Sequence, residues 1–165
     1  MSGKSPDMAW LAAHGFSVVG VELSPIACAA FFAEHHVATE RAPAGAFVRW
    51  HGGGVTILQG DFFDLDGTYA AALDRGGLVA LPDPERCRYA RHLRDRLAPG
   101  GVLLLVTIEY DATRRTGPPF PVFADEVRQL FPGAVERARQ PYRRARWDAV
   151  GGAEAVVWVM RAGRG

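Results

Sequence analysis

Acidic residues recur in this sequence directly after, or at the end of, stretches that are expected to form β-strands. Glu22, Asp61, Asp74 and the neighbouring pair Glu109 and Asp111 all occupy such positions. Ligands of open α/β sheets bind outside the carboxyl ends of the strands. Structural turns alone require fewer acids than this, so we expect these carboxylates to converge on one polar ligand.

Glu22 has the spacing of an acid that binds the ribose of a nucleoside. It follows Gly3 by 19 residues, and in nucleoside-binding α/β folds about 20 residues separate the glycine-rich turn from the ribose acid. A carboxylate can accept hydrogen bonds from two vicinal hydroxyls at once. A second interpretation stays open, in which Glu22 caps the helix beginning near Ser24, because a lone glycine is a weaker signal than a full GxGxxG motif.

Asp61 and Phe62 suit the base of the same nucleoside. The carboxylate could accept a hydrogen bond from an adenine amino group, and the phenylalanine ring could form an apolar wall. The alternative is that Phe62 and Phe63 both belong to the core. In an extended segment the two rings point to opposite sides, so at most one of them would face a ligand.

The elements that position these residues alternate between strands and helices. Strands with continuous apolar runs are typical of a parallel sheet that is covered on both faces. The sequence therefore predicts an α/β fold with a doubly wound, mostly parallel sheet. The predicted strands are 16–23, 55–59, 69–73, 102–108 and 155–160, the predicted helices are 7–15, 25–35, 84–97 and 124–131, and the predicted loops are 41–54 and 111–121.

Local signals set the ends of the first two helices. Asp7 is expected to cap the first helix, and Gly15 is expected to end it. Ser24 and Pro25 are typical of a cap followed by the first helical residue. The second helix is therefore expected to begin close to Glu22.

Composition predicts one soluble domain over residues 1–165, because 48% of the residues are hydrophobic and 22% are charged. The formal net charge of +1 argues against non-specific nucleic-acid binding as the main function. The sequence shows neither a signal peptide nor an apolar run of membrane-spanning length. Two cysteines are too few for a disulfide framework, so we expect a cytoplasmic protein with no membrane partner.

Other reactive residue types give weaker signals. Cys28 and Cys87 are expected to be buried as small hydrophobic residues rather than to act as nucleophiles. The histidines lack the spacing of metal ligands, since His35 and His36 are adjacent and cannot share one helix face, and no metal site is expected. A late cluster of arginines favours a solvated face, although one of them, next to Trp147, could reach an anionic substrate. These arginines are Arg137, Arg139, Arg143, Arg144 and Arg146.

Five short segments carry a further signal, because together they match one known family in order and wording. The segments are GKSPDMAWL at 3–11, VGVELS at 19–24, GDFF at 60–63, DRGGLVALP at 74–82, and YD at 110–111 with GPPF at 117–120. They make the chain resemble the thiopurine S-methyltransferase family over residues 3 to about 131. That family belongs to the S-adenosylmethionine-dependent methyltransferases of the seven-stranded α/β type.

The resemblance implies that S-adenosylmethionine is the cofactor and that its methyl group passes to a small-molecule acceptor. Arg75 matches the arginine that the family places near the acceptor sulfur, which implies a catalytic and substrate-binding role. Pro118 and Pro119 match the loop that closes over the acceptor side. The cofactor-binding residues implied by the resemblance are Gly3, Lys4, Glu22, Leu23, Asp61, Phe62, Asp74 and Arg75.

The residue types fit this chemistry. Methyl transfer from a sulfonium is an in-line displacement, in which an enzyme mainly aligns donor and nucleophile at about 3 to 3.5 Å. A heteroaromatic thiol reacts as its thiolate, and a fixed guanidinium such as Arg75 favours that anion. We expect an aromatic thiol or thiopurine, or a selenium or tellurium species, as the acceptor, with small thiols and halide ions as related soft nucleophiles. The alternative for Asp74 and Arg75 is a local ion pair at a strand end.

The chain also departs from the family. Family members carry an N-terminal region and a first strand before the turn at residues 3–5, whereas this chain starts at that turn, and Ala70 stands where we expect an acid. We therefore expect an N-terminally truncated sheet with exposed edges, and a monomer or a dimer paired through such an edge. The alternative function is a catalytically impaired nucleoside-binding or interaction module. A dinucleotide oxidoreductase would need a GxGxxG motif that this sequence lacks.

Overall fold

The computed structural model describes residues 1–142, 147 and 151–163. The chain divides into two compact units, residues 1–65 and 66–165, and each unit contains one four-stranded sheet. The expectation of one domain over residues 1–165 stays a prediction. None of the described helices combines the length and the apolar character that crossing a bilayer requires.

The first unit places two helices against its sheet. The strand order is β1-β4-β3-β2, in which β1 and β4 are parallel and the other two pairs are antiparallel. Its elements are α1 (Pro6–Ala13), β1 (Val18–Glu22), α2 (Pro25–Glu34), β2 (Glu40–Ala44), β3 (Phe47–Gly52), β4 (Val55–Gln59) and a 3-10 turn (Phe62–Asp64).

Serine caps begin both helices of this unit. The Ser24 hydroxyl accepts the Ala27 N–H at 3.3 Å, which confirms the predicted start of α2. The predicted cap at Asp7 is wrong, because the Ser5 hydroxyl accepts the Asp7 N–H at 3.3 Å and α1 begins one residue earlier. The first unit therefore starts each helix with a side-chain oxygen that replaces a missing helical acceptor.

The predicted loop 41–54 is wrong, because β2 and β3 form an antiparallel hairpin there. The hairpin turns at Gly45, whose φ of +61° suits a residue without a Cβ. Trp50 of β3 is 5% exposed and stacks on Phe32 of α2 at a ring separation of 6.5 Å. Cross-strand pairing and this burial stabilise strands in a segment whose Gly, Pro and Ala content indicated a loop.

The core of the first unit lies between the two helices and the sheet. Cys28 is fully buried there, which confirms its expected role as a small hydrophobic residue. The aromatic rings of Phe31 and Phe32 meet edge to face at 5.1 Å. The buried members of this core are Met8, Cys28, Phe31, Phe32, Trp50, Val55 and Ile57.

The second unit also has a mixed sheet, in the order β5-β6-β8-β7. Strands β5 and β6 are parallel, whereas β6 with β8 and β8 with β7 are antiparallel. Its elements are β5 (Tyr69–Arg75), a 3-10 turn (Leu78–Ala80), α3 (Asp83–Asp95), β6 (Leu97–Glu109), α4 (Ala124–Leu130), β7 (Val135–Pro141) and β8 (Glu154–Arg161).

The prediction of a mostly parallel sheet is wrong for the strands that the structure describes, because only β1 with β4 and β5 with β6 are parallel. A continuous apolar run reports that both faces of a strand are covered, and it does not report the direction of the neighbouring strand. The run at residues 102–108 shows this, because its strand β6 has one parallel and one antiparallel neighbour.

Two surface features differ from expectation. Cys87 is exposed, so its predicted burial is wrong, because the inner face of α3 carries Arg86, Tyr89, Ala90 and Leu93 instead. Strand β7 was not predicted, and all seven of its residues are exposed. Its arginines, Arg137 and Arg139, therefore confirm the expected solvated face, whereas Arg143, Arg144 and Arg146 lie outside the described residues.

Candidate functional site

The first unit brings two of the predicted site acids to one edge of its sheet. Strands β1 and β4 pair in parallel with Glu22 opposite Gln59, and the Gly60 N–H donates to the Glu22 carbonyl at 3.0 Å. Glu22 ends β1, and Asp61 follows β4 by two residues. Both acids therefore lie at the carboxyl ends of neighbouring parallel strands, at the same edge of the sheet.

Glu22 connects two turns through its carboxylate. Oε2 accepts the Gly3 N–H at 2.8 Å, and Oε1 accepts the Ser24 N–H at 3.0 Å. Glu22 thus contacts the turn at Gly3 and also Ser24, the residue that caps α2. The two interpretations are compatible, because Oε1 keeps one acceptor position beyond the Ser24 bond, whereas Oε2 also contacts the Met1 amino group at 2.9 Å.

The Glu22 carboxylate is held in its ionised form. Burial raises its pKa, but the hydrogen bonds from Ser24, the Met1 amino group and Gly3 outweigh burial and leave the pKa below the ordinary glutamate value. The side chain keeps 13% of its surface exposed. At neutral pH the site therefore offers a fixed anion that can still accept hydrogen bonds from a ligand.

The backbone next to Glu22 leaves room for a ligand. Gly3 has a φ of +57°, and a Cβ placed on it would meet no atom within 4 Å. Ser2 Oγ is buried and has no hydrogen-bond partner among the residues that the structure describes. An open glycine surface, an unpaired hydroxyl and a carboxylate together fit the polar groups of a nucleoside.

The other predicted cofactor residues of the first unit differ in their surroundings. Leu23 is 69% exposed beside Glu22 and offers an apolar surface. The Lys4 ammonium forms an exposed ion pair with Glu34 of α2. A direct contact of Lys4 with the cofactor stays a prediction, because this ion pair gives the ammonium a partner within the chain.

Asp61 caps the short turn that follows β4. Its Oδ1 accepts the Phe63 N–H at 2.9 Å, and the Asp61 side chain is exposed. Phe62 and Phe63 lie on a 3-10 turn with rings 5.8 Å apart, both half-buried. Because Phe62 and Phe63 lie on a 3-10 turn and not in an extended strand, the rule that sends neighbouring side chains to opposite sides does not hold here. Either ring can therefore border a ligand.

The second unit holds Asp74 in a very different environment. This carboxylate is 4% exposed. It accepts the Gly77 N–H at 2.8 Å, the Leu78 N–H at 3.1 Å and the Tyr89 hydroxyl at 3.0 Å. Burial raises the Asp74 pKa, although the hydrogen bonds from Gly77, Tyr89 and Leu78 oppose that shift. Arg75, the next residue, has an exposed side chain.

The predicted acceptor loop is attached to the turn that follows Arg75. The Phe120 N–H donates to the Val79 carbonyl at 2.6 Å, and the Tyr110 hydroxyl donates to the Pro119 carbonyl at 2.8 Å. Pro118 is exposed and Pro119 is half-buried. The second unit therefore brings together the two segments that the sequence assigned to the acceptor.

The last two acids of the predicted set line an open cavity of about 560 Å³ at the end of β6. Glu109 pairs with Arg139 at 2.7 Å, and Asp111 pairs with Arg114 at 3.1 Å. Both acids thus have basic partners within the second unit. The convergence of all the strand-end acids on one ligand stays a prediction.

Sequence reasoning missed two polar residues of this region, Arg86 and Tyr89. Arg86 is 5% exposed, and its guanidinium contacts both carboxylate oxygens of Glu126 at 2.8 Å and the Leu81 carbonyl at 2.9 Å. Its charge also lies 5.9 Å from the Phe120 ring. The available signal was the presence of Arg and Tyr, three residues apart, on the inner face of α3.

Metal ligation finds no support in the described part of the chain, where no three His, Cys, Asp or Glu side chains lie close enough to share an ion. The expectation of metal-free chemistry stays a prediction.

Comparison with known proteins gives one family. The family model for thiopurine S-methyltransferase matches residues 1–159. The chain is 45% identical over 137 residues to a thiopurine S-methyltransferase of Pseudomonas aeruginosa (strain UCBPP-PA14), a match that covers 81% of this chain and 63% of that protein. The chain thus spans about 63% of the length of the curated relatives that it matches.

Solved structures give the same fold at low sequence identity. A methyltransferase of Methanosarcina mazei described as S-adenosylmethionine-dependent superposes with a TM-score of 0.71 at 14% identity, covering 99% of this chain and 90% of that one. The 1,6-didemethyltoxoflavin-N1-methyltransferase of Burkholderia thailandensis, solved with S-adenosylhomocysteine, superposes with a TM-score of 0.65 at 19% identity, covering 98% and 68%. The chain therefore has the α/β fold of these methyltransferases.

Proposed function

Because this chain belongs to the thiopurine S-methyltransferase family, we propose that it transfers a methyl group from S-adenosylmethionine to a soft nucleophile. The proposed acceptor is the sulfur of an aromatic thiol or a thiopurine, or a selenium or tellurium species. The observation that carries the proposal is the ionised Glu22 carboxylate, bound to the Gly3 N–H at the carboxyl end of β1. This is the position at which α/β folds bind a nucleoside ribose.

The first unit supplies the nucleoside-binding groups in this proposal. S-adenosylmethionine supplies the methyl group as an activated sulfonium. Glu22 accepts hydrogen bonds from the ribose hydroxyls, and the exposed Leu23 packs against an apolar face of the nucleoside. The second oxygen of Asp61 accepts from the adenine amino group, and Phe62 borders the ring.

The second unit supplies the acceptor side. The positive charge of the Arg75 guanidinium stabilises the thiolate of the acceptor. Pro118 and Pro119 border the acceptor, because the Tyr110 and Val79 contacts fix their loop next to the turn after Arg75. These two contacts hold the loop, which lowers the entropic cost of placing the acceptor beside it.

Direct assay tests the proposal. The protein is incubated with S-adenosylmethionine and 6-mercaptopurine, and methylated product is measured, while calorimetry measures S-adenosylhomocysteine binding. Product formation together with binding supports the proposal. Binding without turnover supports the alternative of a non-catalytic nucleoside-binding module. If neither product nor S-adenosylhomocysteine binding is observed, both the proposed activity and this alternative are wrong.

Further expectations accompany the proposed reaction. We propose a small-molecule acceptor, a cytoplasmic location and a monomer, with no nucleic-acid or membrane partner. Competition between 6-mercaptopurine and selenite in the same assay would rank the two acceptor classes. Gel filtration at the assay concentration would test the monomer.

A further inference from the structure

A buried hydrogen-bonded cluster lies under the turn that follows Arg75, and we call its members, Asp74, Gly77 and Tyr89, the Asp74 cluster. The Asp74 carboxylate accepts from the backbone of the turn at 2.8 Å and from the Tyr89 hydroxyl of α3 at 3.0 Å. Asp74 and Tyr89 are each 4% exposed. The cluster therefore connects the end of β5, the turn and α3 without access for water.

The cluster leaves no spare volume. A Cβ on Gly77 would overlap the Tyr89 hydroxyl and come within 2.8 Å of Asp74 Oδ1. Glycine at this position lets the backbone N–H reach the carboxylate directly. The geometry of the turn is therefore set by close contact as well as by hydrogen bonds.

The Tyr89 hydroxyl donates a hydrogen bond to the Asp74 carboxylate. Burial raises the Tyr89 pKa well above its ordinary value, and the charge and hydrogen bond of Asp74 raise it further. The hydroxyl thus stays protonated and acts as the donor. A buried carboxylate that lost this donor would keep the two backbone N–H groups and lose its tie to α3.

Arg75 lies between two members of this cluster in the chain. Asp74 precedes it and points inward, whereas the Arg75 side chain is exposed. Gly76, which follows, has a φ of +118° that a residue with a Cβ rarely adopts. The backbone on either side of Arg75 is therefore fixed by the cluster, and with it the direction in which the guanidinium leaves the strand.

We propose that Tyr89 is a positioning residue for the acceptor-side Arg75, which it orients through Asp74. This inference rests on the proposed methyl transfer, because it assigns Tyr89 a part in stabilising the acceptor thiolate. Tyr89 touches neither acceptor nor cofactor in this role. Its removal weakens the orientation of Arg75 and leaves the groups around Glu22 unchanged.

The test compares Tyr89→Phe with Tyr69→Phe. The control removes the Tyr69 hydroxyl, which belongs to the same unit and lies at the start of β5, outside the Asp74 cluster. Two acceptors are assayed at a pH at which benzenethiol is mostly protonated in water: benzenethiol itself, and the more acidic pentafluorobenzenethiol, which is ionised there without help from the protein. A purely structural role would lower kcat/KM by the same factor for both thiols.

The positioning role predicts an unequal loss. We expect Tyr89→Phe to lower kcat/KM for benzenethiol about tenfold and to affect pentafluorobenzenethiol much less. The S-adenosylhomocysteine affinity should stay unchanged, as should every parameter of Tyr69→Phe. Equal losses for both thiols, or wild-type kinetics in Tyr89→Phe, would overturn the inference.

Two further measurements keep the test decisive. If Tyr89→Phe does not fold, Gly77→Ala, which displaces the same two side chains, is assayed by the same criterion. If the wild-type protein methylates neither thiol, the proposed function fails, and amide hydrogen exchange decides on the cluster. Faster amide exchange at Gly77 and Leu78 in Tyr89→Phe, with no change in Tyr69→Phe, supports the inference that Tyr89 holds the turn through Asp74. Unchanged exchange in Tyr89→Phe overturns that inference.

Discussion

Glu22 and Asp74 occupy equivalent places at the ends of parallel strands, yet the chain uses the two acids in opposite ways. Glu22 keeps part of its surface exposed and has a lowered pKa, because hydrogen bonds outweigh burial. Asp74 is buried and has a raised pKa, because burial outweighs three hydrogen bonds. Position at a strand end thus identifies candidates, whereas burial and hydrogen-bond partners decide whether an acid meets a ligand or supports a turn.

The proposed roles likewise differ, with nucleoside binding assigned to the region around Glu22 and acceptor binding to the region around Arg75. Substitutions in the two regions are expected to affect different quantities.

Arg75→Ala should have the largest effect. Loss of the guanidinium removes the charge that favours the acceptor thiolate, so kcat/KM for 6-mercaptopurine should fall about 100-fold. The S-adenosylhomocysteine dissociation constant should change less than twofold, by calorimetry. Arg114→Ala, at an exposed arginine paired with Asp111, serves as the control, and equal losses of rate and cofactor affinity in Arg75→Ala would contradict the assigned role.

Glu22→Gln should show the reverse pattern. Replacing the carboxylate by an amide weakens charge-assisted hydrogen bonds to the ribose, so S-adenosylhomocysteine should bind about tenfold more weakly. At saturating cofactor, kcat should stay close to the wild-type value. Glu40→Gln, at an exposed acid that begins β2, is the matched control, and unchanged affinity in Glu22→Gln would remove the ribose role.

Asp74→Asn should act mainly on stability. The amide would place a donor against the N–H groups of Gly77 and Leu78, and a buried unsatisfied donor costs about 2 kcal/mol of the free energy of unfolding. Urea denaturation at neutral pH measures the difference. A change below about 0.5 kcal/mol would show that the buried carboxylate does not hold the turn.

The smallest effect is a pH dependence of opposite sign at the two acids. The lowered pKa of Glu22 gives stability that is present above the ordinary glutamate pKa of about 4.3 and is lost as the pH falls through the folded value. The raised pKa of Asp74 gives a contribution that is fully present below the ordinary aspartate pKa of about 3.9 and is lost as the pH rises toward the folded value.

Urea unfolding between acid and neutral pH measures both slopes. The stability deficit of Glu22→Gln relative to wild type should grow as the pH rises, whereas the deficit of Asp74→Asn should shrink. Two deficits that move in the same direction would contradict the contrast between these acids.

The fold was predictable where local chemistry decides the structure. The cap at Ser24 and the first helical residue Pro25 are both observed, and β4 spans the predicted residues Val55–Gln59. The hairpin of β2 and β3 was missed because its stability comes from cross-strand pairs and from burial of Trp50. Strand directions were also missed, because apolar runs carry no information about the neighbouring strand.

The candidate site was predictable where it depends on residues that are related by short-range sequence patterns. The contact between Gly3 and Glu22 follows from their spacing and from the rule that ligands meet strand ends. The role of Asp74 could not be predicted, because its partner Tyr89 lies 15 residues further along the chain, on a helix. The attachment of the acceptor loop through Tyr110 and Phe120 likewise depends on tertiary packing.

Strand β7 forms one outer edge of the second sheet, and its exposed charges affect how copies of the chain meet. Arg139 contacts carboxylates of Glu109, Glu136 and Glu154, which raise its pKa. A strand arriving from another molecule would have to bring its own backbone groups past this ionic cluster and strip water from it. We therefore expect this edge to disfavour pairing with a strand of a second copy of the chain.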